Sequence, residues 1–75
     1  MSEFMDEVRL LRKLPPPAMA RAIRESAGVS QAQVATELGV ARLTVSRWEN
    51  GTRHPRRALA VRYTQLLNEL REAAG

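Results

Sequence analysis

Residues Gln31–Asn50 read QAQVATELGVARLTVSRWEN, and the fold follows from how this stretch divides. The pattern predicts a helix over 31–38, a stop at Gly39, and a second helix over about 41–50 that ends at Asn50-Gly51. Each piece is too short to bury a core of its own, so the two must brace one another at a steep angle. Such bracing needs a small residue where the helices come closest, and Ala35 supplies it. It needs a turn residue that tolerates positive φ, and Gly39 supplies that. It also needs inward apolar side chains, which Val34, Leu38, Val40, Val45 and Trp48 are spaced to provide. Immediately upstream, Ser30 is placed as an N-cap with Gln33 completing a capping box, and Val29 and Val34 form a hydrophobic staple.

At 100° per residue, Ala41, Val45 and Trp48 share the inner face of the second helix, which makes Trp48 a core residue. Leu43, Ser46, Arg47 and Asn50 then point away, with Arg42 and Thr44 on the flanks. This outer face suits the major groove of double-stranded DNA. An arginine can donate two hydrogen bonds to guanine, and Leu43 or the Thr44 methyl can meet a thymine methyl. Base contacts are therefore expected at Arg42, Leu43, Thr44 and Arg47. Phosphate contacts are expected at Ser46 and Asn50 and at the loop residues Thr52, Arg53 and His54. The charge distribution agrees with this reading. Residues 42–62 carry six arginines against one acid, Glu49, whereas the rest of the chain is nearly neutral within a net charge of +4. A basic face concentrated in one third of a chain is the footprint of a polyanion binder.

Turn signals divide the remainder into further helices. Residues 2–14 form the first, capped by Ser2, with acids in its first turns, bases in its last, and Phe4, Val8 and Leu11 on one stripe that extends the core. Pro15, Pro16 and Pro17 stop it, and Pro17 opens a second helix over 17–27, with Met19, Ile23 and Ala27 on a common face and Gly28 at its end. A last helix over 56–73 sets Leu59, Tyr63, Leu66 and Leu70 at heptad-like spacing. Leu66, Leu67 and Leu70 are more apolar surface than one small core requires, which makes this helix the expected contact for a second copy.

Composition excludes several classes. The 75 residues correspond to one domain. Without cysteine there is no disulfide framework and no thiolate metal site. His54 is the lone histidine, no second ligand lies near it in sequence, and neither a metal nor a cofactor is expected. No apolar run approaches the roughly 20 residues of a membrane span, and Glu3, Asp6 and Glu7 at the N-terminus do not read as a secretory signal. The acids are scattered, no nucleophile sits beside a base, and no phosphate-loop motif is present, so catalysis is not expected. A cytoplasmic protein is the corresponding expectation.

The stretch AIRESAGVSQ at 22–31, with Val34-Ala35, Leu38-Gly39-Val40 and VSRWENG at 45–51, resembles the Cro/C1-type (XRE) helix-turn-helix family of bacterial and phage transcriptional regulators. The resemblance covers roughly residues 18–70. It implies an all-α, lambda-repressor-like fold, here of five helices, whose helix 42–50 reads the major groove of a short operator. It also implies base-reading positions at Arg42, Leu43 and Arg47. Gln31 would touch phosphate and brace the reading helix, and Asn50 would touch phosphate. Arg24 and Glu49 fall where many members place a buried ion pair. A repressor at the nucleoid, on an inverted repeat, as a homodimer or as a monomer that pairs only on DNA, is the function it implies. A recombination-accessory or protein-interaction module on the same fold is the competing class. Two departures stand out. Ala41 occupies a position where the family usually has a capping Ser or Thr, and residues 2–14 lie outside the minimal core.

Overall fold

The computed structural model describes residues 2–75. It contains five helices, α1 (Glu3–Leu11), α2 (Pro17–Ser26), α3 (Gln31–Leu38), α4 (Arg42–Asn50) and α5 (Arg57–Ala74), and no strand among the described residues. The helix boundaries follow local chemistry. The Ser30 hydroxyl accepts from the Gln33 amide at 3.0 Å while the Gln33 side chain accepts from the Ser30 amide at 2.8 Å, a reciprocal cap worth about 1 kcal/mol. α3 ends on Gly39 at φ 71°, and α4 ends on Gly51 at φ 75°. Ala41 gives α4 no side-chain cap.

α3 and α4 pack against each other through Val34, Ala35, Leu38 and Val45, all buried. α2 and α5 close the core from the other side with Ala20, Tyr63 and Leu67, and the Trp48 and Tyr63 rings meet at 4.9 Å between centroids. Thr64 is also buried, and its hydroxyl donates to the Ala60 carbonyl at 2.7 Å, so no donor is left unpaired there.

Four expectations are corrected. α1 ends at Leu11, three residues earlier than expected, because Pro15 disfavours helical geometry at residue 14. Arg12 and Lys13 form a turn instead, in which the Lys13 amide donates to the Leu10 carbonyl. Phe4 does not extend the core; it is 61% exposed and lies under the Arg57 guanidinium, 5.7 Å from ring centroid to Cζ. On α2 the buried residues are Ala20 and Arg24, and Met19 is 51% exposed. Leu67 is 2% exposed and belongs to the core, which removes it from any self-association surface. The inward face of α5 is Ala60, Tyr63, Thr64 and Leu67, rotated from the Leu59, Tyr63, Leu66 and Leu70 stripe. The rotation arises because α5 touches α1, α2 and α3 on different sides, so the side chains flanking its inward face are also half covered.

Candidate nucleic-acid interface

The outward face of α4 depends on how firmly its inward face is held. Val45 is fully buried and Trp48 nearly so, which fixes the rotation of the helix about its axis. With that rotation, Arg42, Leu43, Arg47 and Asn50 are exposed, and Thr44 and Ser46 are half-buried. Leu43 is 52% exposed, so a large apolar side chain is presented to solvent on the same face as Arg47.

Behind this face lies a buried ion pair. Arg24 of α2 grips Glu49 of α4 through Nε–Oε2 at 2.6 Å and Nη2–Oε1 at 2.9 Å, and its remaining Nη1 donates to the Val29 carbonyl at 2.8 Å. A two-pronged arginine–carboxylate contact adds direction to attraction. Burial pushes the Glu49 carboxyl up, but the hydrogen bonds from Arg24 and Gln31 and the Arg24 charge outweigh it and hold the group below its ordinary value. The hydrogen bond to Glu49 correspondingly raises Arg24. The network continues outward. Gln31 Nε2 donates to Glu49 Oε1 at 3.0 Å, and Arg42 Nη1 donates to Gln31 Oε1 at 3.1 Å. The first residue of α3 is thereby tied to both ends of α4.

The cations of the basic stretch are not equivalent. Arg62 spends its guanidinium on the Leu38 and Glu37 carbonyls at 3.2 and 3.1 Å, closing the C-terminal end of α3. Arg57 pairs with Glu7 at 3.2 Å and covers Phe4. By contrast, the guanidinium groups of Arg47, Arg53 and Arg56 have no hydrogen-bond or ion-pair partner among the described residues. All three line one concavity of about 310 Å³ beside α4, with Thr44 and His54 on its wall and Trp48, Pro55 and Leu59 as apolar lining. Thr52 plays a different part. Its hydroxyl donates to the Arg47 carbonyl at 3.3 Å, and the Thr52 amide donates to the same oxygen at 3.1 Å, so the loop closes the end of α4.

Of the residues expected from sequence, Arg47, Arg53, His54 and Thr44 are brought together around one concavity. Leu43 and Asn50 share the exposed side of α4, Gln31 and Arg42 are joined in the network behind it, and Ser46 is half-buried. Arg56 was missed by motif reading. It sits one residue before α5 and completes the cationic rim, and its signal in the sequence was only its place in the basic stretch. No described helix is long and apolar enough to cross a membrane. A family model described as Helix-turn-helix matches residues 21–73, most of the chain. No curated protein and no solved structure shows a significant match.

Proposed function

Since this chain belongs to the Cro/C1-type helix-turn-helix family, we propose that it is a sequence-specific, double-stranded-DNA-binding transcriptional repressor that reads the major groove with α4. The observation that carries the reading is the sorting of its arginines. Within the basic stretch Arg57, Arg62 and Arg42 hold partners inside the fold, which leaves the α4 side of the concavity to Arg47, Arg53 and Arg56, whose guanidinium groups have none among the described residues. Arg47 on the exposed face of α4 supplies base readout together with Leu43, Thr44 and Arg42. Asn50, Ser46, Gln31 and the loop residues Thr52, Arg53 and His54 follow the phosphates.

One reading helix covers only a few base pairs, so specific affinity calls for two copies on an inverted repeat, with reading helices about 34 Å apart. Repression follows when such a site overlaps a promoter, and places the protein at the nucleoid. Selection of bound duplexes from a random pool tests the reading directly. Enrichment of an inverted repeat, bound far more tightly than a scrambled duplex, is the expected result. Binding to all duplexes alike at every salt concentration would replace it with a sequence-neutral role.

A further inference from the structure

We propose that the Arg12–Lys13 turn between α1 and α2 is a second, sequence-independent contact, which grips the sugar–phosphate backbone flanking the base pairs read by α4. The inference rests on the DNA-binding reading above and extends it beyond the family-matched residues 21–73.

Three observations place this contact. First, both side chains are exposed on a turn with a fixed backbone, in which the Lys13 amide donates to Leu10 at 2.9 Å and the Leu14 amide to Leu11 at 3.2 Å. Second, the chain that follows is pinned to the loop after α4. Leu14 and Pro15 share a small cavity with His54 and Pro55, and the Pro17 ring lies close enough to Gly51 that a β-carbon added there would meet it at 3.7 Å. The three consecutive prolines leave little freedom in that connection. The turn therefore sits at the edge of the loop that carries Arg53 and His54.

Third, the Arg12 and Lys13 side chains have no hydrogen-bond or ion-pair partner among the described residues, although acids are close in sequence. Asp6 is taken by Arg9 and Glu7 by Arg57. Apart from Arg47, Arg53 and Arg56 at the concavity, the remaining arginines each have a partner: Arg21 with Glu25, Arg24 with Glu49, Arg42 with Gln31, Arg62 with carbonyls and Arg71 with the Met19 sulfur. Among the described residues, cationic side chains without a partner thus occur in two places, the concavity beside α4 and the turn packed next to its loop. A polyanion long enough to run past the concavity meets both.

The test is the salt dependence of binding to a 30-base-pair duplex carrying the selected site, for the wild type and for the double variant Arg12→Gln/Lys13→Gln. Arg71→Gln serves as a charge control on the far end of α5. Each phosphate contact contributes about 0.9 to the slope of log affinity against log salt. The double variant is expected to flatten the slope by nearly two units, equally on cognate and scrambled duplexes, and Arg71→Gln to leave it unchanged. Trimming the flanking base pairs is expected to flatten the wild-type slope and not that of the variant. An unchanged slope in the double variant overturns the inference and reduces these residues to compensating the α1 dipole. Equal flattening in Arg71→Gln also overturns it, since net charge alone would then account for the effect. In both cases the DNA-binding reading stands, whereas a wild type that binds no duplex at any salt concentration overturns both.

Discussion

Arg24 and Glu49 face each other across the α2–α4 contact at 2.6 Å, with side chains 9% and 2% exposed. Glu49 also holds Gln31, so this one carboxylate connects three helices of the core. Removing one partner of a buried pair leaves the other charge uncompensated, which costs about 3–5 kcal/mol. Glu49→Ala is therefore expected to lower the free energy of unfolding by about that amount in urea titrations. A loss under about 0.5 kcal/mol, the scale of an ordinary surface substitution, would show that the pair contributes nothing.

The same carboxylate makes stability depend on acid. Its pKa in the folded chain lies below the ordinary value of 4.5, so its contribution is fully present above that value and is lost as pH falls through the folded pKa. Urea midpoints measured from pH 7 down to pH 3 are expected to fall for the wild type, and to fall less for Glu49→Gln. Parallel curves for the two proteins would assign the acid sensitivity to other carboxylates.

Tyr63 gives the opposite limb. Burial, with the Glu49 charge adding to it, pushes its hydroxyl up to about 12 from an ordinary 10, and the oxygen is buried without a hydrogen-bond partner among the described residues. The folded state favours the protonated form, so this contribution is present below pH 10 and is lost between 10 and 12. Tyr63→Phe is expected to remove that alkaline loss. It is also expected to leave stability at pH 7 unchanged or raised by about 1 kcal/mol, because an unsatisfied buried polar atom is costly. A drop of about 2 kcal/mol at pH 7 would show that the hydroxyl is satisfied after all.

Arg47→Ala and Arg53→Ala are expected to part company on DNA. The first lowers specific affinity by about 1–3 kcal/mol and relaxes preference at one base position. The second weakens cognate and scrambled duplexes alike and flattens the salt slope by about one unit. Isotherms on the two duplexes measure both quantities, and equal weakening by Arg47→Ala would make Arg47 a phosphate contact.

Arg62→Ala separates charge from architecture. Its two hydrogen bonds close the end of α3, so the variant is expected to lose about 1 kcal/mol of stability while the salt slope stays within a few tenths of the wild type. A fall of a full unit in the slope would instead place Arg62 on the backbone of DNA.

The order and type of the helices, and the paired arrangement of α3 and α4, were legible from residue patterns alone. Ser30 with Gln33, Gly39, Gly51 and Pro17 act within a few residues of themselves, and backbone sterics and local hydrogen bonds leave them little choice. The inward set of Val34, Ala35, Leu38, Val45 and Trp48 followed from helical periodicity for the same reason. Tertiary structure decided what depends on distant partners. Glu7 reaches Arg57 across fifty residues, and Arg62 reaches the end of α3 across some twenty-five. Because a guanidinium can be spent on whichever carboxylate or carbonyl packing brings near, no run of arginines reveals which charges remain free. The rotation of α5 that buries Leu67 was likewise settled by its contacts with three other helices, and the exposure of Phe4 by the way α1 lies on α5. Periodicity names the candidate faces of a helix, but only its neighbours select among them.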